Sequence, residues 1–210
     1  MSRPSTRQRL LDTAEELFAV NGIDAVSLRQ LTSEAGANLA AVHYHFGSKR
    51  DLVLAVFKRR IEPINARRLE CLDALQAGDA APELDEVLRA FLEPALSYGA
   101  TGPRTFFQLV GRAHAEPDEA LKIDLMSNFG EVARRFLDAV CAAVPDVPRD
   151  ELCWRMHFLV GSMVHLLINE VALVVISDGR CDPNDPAGAL DRLVAYAAAG
   201  LRAPVPESVR

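Results

Sequence analysis

Residues 27–49 read SLRQLTSEAGANLAAVHYHFGSK, and their types and spacing suit the reading of a nucleic acid. Two short apolar-periodic segments flank Ala35-Gly36, where glycine supplies the positive φ that stops one helix and redirects the chain. A helix, a tight turn and a second short helix form a helix-turn-helix, whose second helix can enter the DNA major groove. Asn38, Leu39, Ala40, Ala41, His43 and Tyr44 lie on that second helix. Small side chains at 40 and 41 would let the backbone approach base edges, and their methyl groups can meet thymine methyls. Asn38 could pair bidentately with adenine or simply cap its helix; both readings stand. Val42 and Phe46 are expected to point inward and hold the segment together.

Other polar constellations are weaker. His43 and His45 stand at i and i+2, which do not share a helix face, so a metal there is not expected. Cys153 and His157 stand at i and i+4 and could ligate a sensor metal, but two ligands do not make a site. No nucleophile elbow, P-loop, dinucleotide fingerprint, HExxH motif or catalytic carboxylate pair occurs, so no enzyme and no cofactor are expected.

The segment needs elements to position it. After an arm at residues 1–5, Ser5 or Thr6 can cap a helix running to about Val20. Its apolar face is Leu10, Leu11, Ala14, Leu17 and Phe18, and Asn21-Gly22 ends it. Ser27 with Gln30 is a capping-box signature for a second helix to about Ala35. Asn38 opens a third to about His45. Ser48 opens a long fourth from Lys49 to Leu75, with Pro63 expected to kink or break it. Helical periodicity continues over 83–98, 105–113, 117–144, 149–177 and 187–201, with 99–103 and 178–186 as loops. The expected fold is all-α with about nine helices: a DNA-binding domain over 1–50, a helical ligand-binding and dimerisation domain over 51–204, and a disordered tail over 205–210.

Composition agrees. Half of the 210 residues are apolar, enough for a sizeable core, and no run of 18 apolar residues suggests a membrane span. Four scattered cysteines read as reduced thiols, and the N-terminus lacks a signal-peptide pattern, so a cytoplasmic protein is expected. The net charge of −6 divides unevenly. Residues 1–60 carry nine Lys/Arg and six Asp/Glu, giving +3; residues 61–210 carry 14 and 23, giving −9. Positive charge lies where phosphates could be met.

An N-terminal helix ending in Asn-Gly-Ile, then SLRQLTSEAG, a short helix ending YHFGSK and a long following helix resemble the TetR family of transcriptional regulators. The resemblance covers about residues 6–55. It implies that Arg29 reaches DNA from the second helix, and that Ser27, His43, His45 and Lys49 contact phosphate, which positions the domain without reading sequence. Family members often carry tyrosine where this chain has His43. A histidine can also donate to phosphate, and it gains charge in the mildly acidic range. The stretch NLAAVHYHFGSK further resembles a branch that includes fatty-acid-responsive repressors.

Such a protein reads a palindromic double-stranded operator as a two-fold dimer. Gly161 and Ser162, and Ala195 to Gly200, are small enough for close packing, so the last two helices are the expected homodimer seam. The resemblance implies the same four-helix arrangement; packing within one subunit is the competing reading. For an effector, Phe107, Met126, Phe129, Trp154 and Phe158 offer soft or flat apolar surface, though ordinary core packing would use the same residues. Arg104, Gln108, His157 and His165 lie where burial would demand a partner. Together they suit a small hydrophobic or amphiphilic effector, a fatty acid or acyl thioester among them. The expected function is a repressor released by that effector. A metal-responsive regulator, a helical ligand-binding protein that never touches DNA, and activation in place of repression are the alternatives.

Overall fold

The computed structural model describes residues 4–78, 80–114 and 118–205. The described residues form eleven helices and no strand. They are α1 (Thr6–Asn21), α2 (Leu28–Glu34), α3 (Leu39–His45), α4 (Lys49–Gln76), α5 (Leu84–Thr101), α6 (Arg104–His114), α7 (Glu119–Ser127), α8 (Gly130–Ala143), α9 (Arg149–Ile168), α10 (Glu170–Ile176) and α11 (Pro186–Arg202). The all-α reading holds, and two local breaks raise the count from nine.

The first break divides the expected 117–144 helix. Asn128 turns its amide back on the preceding turn, donating to Asp124 O at 3.3 Å and Leu125 O at 3.0 Å, which satisfies the end carbonyls of α7. The second falls at Asn169, with φ −133° and ψ 55°, where α9 and α10 meet at 86°. Pro63 does the reverse of what its type suggests, since α4 runs through it unbroken. Pro94 likewise sits inside α5, which continues to Thr101 through most of the expected loop. No single described helix is long and apolar enough to cross a membrane; α9 and α10 reach that length only together, across their bend.

Packing divides the chain into two compact units, residues 1–63 with 102–128, and residues 64–101 with 129–210. The first unit takes in α6, which packs on α1, and α7, which is tied to α4. The reason is a set of polar ties. Glu15 on α1, 2 % exposed, is held by Arg59 and Arg60 of α4 and accepts from Thr105 of α6. Arg112 of α6 donates to Ala19 O and Val20 O at 3.4 and 2.8 Å, closing the C-terminus of α1. Arg50 of α4 reaches Asp118 and Asp124 at 3.2 and 2.7 Å. Around these ties Leu10, Phe18, Leu31, Val42, Leu52, Phe106 and Leu109 form the first core.

The second unit is built on apolar faces. Leu72, Leu88, Leu92, Phe136, Leu152 and Leu201 are fully or almost fully buried, and Phe91 meets Phe136 edge-on at 5.1 Å. Each such side chain contributes roughly 1.5–3 kcal/mol by leaving water. The tail at 206–210 lies outside the described residues.

Candidate nucleic-acid interface

Three capped helix starts fix the segment 27–49. Ser27 Oγ accepts from Gln30 N at 3.1 Å and starts α2. The expected reciprocal half of a capping box is absent, because the Gln30 amide bonds Glu34 instead. Asn38 Oδ1 accepts from Ala41 N at 2.9 Å and starts α3, so its carbonyl oxygen serves as cap. Ser48 Oγ accepts from Asp51 N at 3.1 Å and donates to Asp51 Oδ2 at 2.6 Å at the start of α4. Each cap replaces a missing intrahelical partner and is worth about 1 kcal/mol. Gly36 makes the turn at φ +57°, where a side chain would be strained.

The inward residues behave as their types require. Val42 is fully buried. Phe46 is half-buried and lies under the guanidinium of Arg7, 5.4 Å from ring centre to carbon. What remains faces out. Ala40 is exposed, Ala41 half-buried, Leu39 exposed, and Tyr44 is 85 % exposed with its ring edge-on to His45 at 4.9 Å. With Thr6, Arg9 and Gly36, the residues Ala40, Ala41 and Tyr44 line an open depression of about 480 Å³. Arg29 is exposed and, among the described residues, its side chain has no ion-pair or hydrogen-bond partner.

The remaining residues expected at phosphate are tethered. His43 is exposed, and its Nδ1 lies 2.8 Å from Gly47 O; since a carbonyl only accepts, Nδ1 carries the proton and Nε2 is left outward. Lys49 Nζ donates to Asp24 O at 3.3 Å. His45 is half-buried between Tyr44 and Phe46.

Sequence reading missed Arg9. Its Nε donates to Ala35 O at 3.1 Å and its Nη2 to Gly36 O at 3.3 Å, tying α1 to the turn between the two reading helices. Only an arginine beside an apolar stripe hinted at it. The positive surplus of residues 1–60 also proves to be partly internal: Arg50, Arg59 and Arg60 are spent on carboxylates of the same unit. Asp124 accepting from Arg50 raises that guanidinium above its ordinary value.

The candidate effector residues divide between the two units. The Arg104 side chain lies outside the described residues. Phe107 is buried beside Phe106, Gln108 is exposed and Met126 is exposed, all in the first unit. Phe129 is half-buried at the start of α8 in the second. Trp154, His157, Phe158 and His165 share α9 and are exposed, so the expectation of a buried lining is not met there. The cause is phase: α9 buries Leu152, Arg155, Leu159 and Met163, the face opposite the aromatic one. Trp154 and Phe158, 62 % and 60 % exposed, have ring centroids 6.0 Å apart. The exposed series Trp154, Phe158, Gly161, His165, Ile168 steps by four, three, four and three, the spacing of a coiled-coil seam. On α11, Ala195, Tyr196, Ala199 and Gly200 are exposed. Cys153 and His157 are both exposed, and no group of three metal-binding side chains occurs among the described residues.

Residues 10–56 match the family profile described as "Bacterial regulatory proteins, tetR family", and residues 89–200 match "Tetracyclin repressor-like, C-terminal domain". The HTH-type transcriptional regulator SrpR of Pseudomonas putida is 37 % identical over 59 residues, which are 28 % of each chain. AcrR of Shigella flexneri is 33 % identical over 92 residues, 44 % of this chain and 42 % of that protein. Thus the match spans less than half the length of these curated relatives. Among solved structures, the fatty acid degradation regulator FadR from Bacillus halodurans superposes with a TM-score of 0.71 at 11 % identity, covering 97 % of this chain and all of that one.

Proposed function

Because this chain belongs to the TetR family of bacterial regulatory proteins, we propose that it is a homodimeric, effector-responsive transcriptional regulator that occupies a palindromic operator. The observation that carries the reading is the outward face of α3. Ala40 and Tyr44 are exposed and Ala41 half-exposed on a helix whose start is capped and whose back is buried at Val42, with the unpartnered Arg29 side chain exposed as well. A helix presented in this way can enter a major groove, where Arg29 and Tyr44 meet bases. Lys49, His43, His45 and Ser27 act on phosphates, and Asn38 acts chiefly as a cap.

One helix-turn-helix covers one half-site, so a dimer must set two of them about one DNA turn, roughly 34–36 Å, apart. The exposed aromatic stripe of α9 and the small-residue face of α11 support that dimer. An apolar stripe at coiled-coil spacing on a water-soluble helix asks for a partner helix, and Gly161, Ala195, Ala199 and Gly200 allow close approach. On this reading Trp154, Phe158 and His165 belong to the seam, not to an effector pocket. A cytoplasmic location follows from the work itself.

The effector is a small hydrophobic or amphiphilic molecule held by the second unit. The likeness to FadR carries the fold and not the ligand, given 11 % identity. Release works as a population shift. Effector binds the DNA-free form more tightly, and a tenfold loss of operator affinity needs about 1.4 kcal/mol of that preference. Helix α4 is the natural lever, since one unbroken helix carries both Lys49 and the buried residues of the second unit. The family is one of regulators, not enzymes.

The test is binding to duplex DNA across a salt series. Specific protection of a two-fold site, with affinity falling steeply as salt rises, supports the reading. Binding that ignores both sequence and salt counts against it.

A further inference from the structure

Two arginines are buried among the described residues, and they are held in opposite ways. Arg155, on α9, has a carboxylate: its Nε lies 2.8 Å from Glu151 Oε1. Its Nη1 donates to the carbonyls of Gly200, Leu201 and Ala203, which closes the C-terminus of α11. Arg68, on α4 and only 2 % exposed, has no carboxylate partner among the described residues. Its Nε donates to Phe91 O at 2.8 Å, Nη1 to Asn65 Oδ1 at 3.2 Å and Nη2 to Met163 Sδ at 3.5 Å. The guanidinium carbon stands 4.4 Å from the centre of the Phe91 ring.

A guanidinium carries five N–H bonds. These three contacts use one on each nitrogen, so one on Nη1 and one on Nη2 are left over. A third of what is satisfied rests on a thioether, a weak acceptor. Desolvation lowers the Arg68 pKa to about 10, which still leaves it a cation at neutral pH. A buried cation with neither counter-charge nor a full set of acceptors is costly. Linking α4, α5 and α9 requires no such charge, because an apolar side chain of similar length would do it at lower cost.

We propose that Arg68 anchors the carboxylate of a monoanionic, otherwise apolar effector bound among α4, α5 and α9. The proposal rests on reading the chain as an effector-responsive regulator, and it supplies the chemical class of the effector. One carboxylate cancels one guanidinium and can accept two parallel N–H bonds, whereas a phosphate dianion would leave a net negative charge in the same apolar surroundings. The buried Phe91 ring, 4.4 Å from the guanidinium carbon and edge-on to Phe136, offers apolar surface beside it. Met163 is its adjustable element: an unbranched thioether can swing aside when an oxygen takes its place. Leverage follows from position. Arg68 lies on the helix that begins at Lys49, and Met163 lies on α9, behind the aromatic stripe.

Decanoate and decanol, compared below micelle-forming concentrations, test the assignment on the full chain. Melting temperature is read with and without each probe for wild type, Arg68→Met and Arg68→Lys. Decanoate raises the wild-type melting temperature and decanol does so only at roughly tenfold higher concentration. Arg68→Met melts no lower than wild type and treats the two probes alike, while Arg68→Lys keeps part of the preference. The assignment is overturned if decanoate leaves wild type unshifted, if Arg68→Met retains the carboxylate preference, or if Arg68→Met melts clearly lower, which would make Arg68 a structural tie. These melting curves need no DNA. Failure to bind any operator therefore counts against the regulator reading, and equal response to both probes counts against Arg68 alone.

Discussion

The outward faces of α3 and α9 are both left uncovered by the fold, and they are made of opposite materials. On α3 the exposed positions, Leu39, Ala40, His43 and Tyr44, are mostly small or polar, and the helix is only seven residues long, kept in shape by caps. On α9 an exposed stripe that includes Trp154, Phe158 and Ile168 runs over about four turns. A surface of the first kind suits a wet, charged, salt-sensitive partner, and one of the second kind suits a dry seam with a copy of itself. The difference teaches that exposure alone does not define a site; the chemistry of what is exposed selects its partner.

That contrast can be broken from either side. The largest effect is expected from Phe158→Asp, which places a charge from each subunit into the seam. The dimer should weaken by about 2 kcal/mol or more, roughly thirtyfold, and operator affinity should fall with it. Light scattering after gel filtration reads the first and anisotropy the second. A dimer that survives intact would move the seam elsewhere. Arg29→Ala comes next: about 1–3 kcal/mol of operator affinity, with a changed base preference at one position per half-site and no change in oligomeric state. Lys49→Ala should weaken binding to all sequences evenly and lower the salt slope by about one. Ser27→Ala should cost roughly 1 kcal/mol of stability through the lost cap, a fall of about 2–4 °C in melting temperature.

The smallest effect concerns Arg68 and pH. Its folded-state pKa, about 10, lies below the ordinary value of a guanidinium, so between the two the unfolded chain binds more protons and stability rises with pH. Below about 10 the cost of the buried cation is complete. The stability difference between Arg68→Met and wild type should therefore stay constant from pH 6 to 9 and narrow only in more alkaline solution, as denaturant titrations would read.

The first three helices were legible within a residue or two, because Ser5, Ser27 and Asn38 cap from local sequence and Gly22 and Gly36 stop helices by their own φ. Features set by tertiary contact were not. Nothing local says that Asn169 bends a helix that Pro63 leaves whole, or that α6 joins the first unit through Thr105 and Arg112. The aromatic residues of α9 stand on its exposed face, which their 3.6-residue periodicity does not reveal, since it does not say which stripe is buried. Arg68 was invisible for the same reason. A lone arginine in a long helix rich in charges gives no sign that it is buried.

The most direct test of the central claim is genomic footprinting of this protein at base resolution, beside a variant carrying both Arg29→Ala and Tyr44→Ala. Two-fold sites with half-site centres about one helical turn, roughly 10 bp, apart, lost or altered in sequence in the variant, are the expected result. Footprints that lack two-fold symmetry, or that are identical for both proteins, would contradict the account.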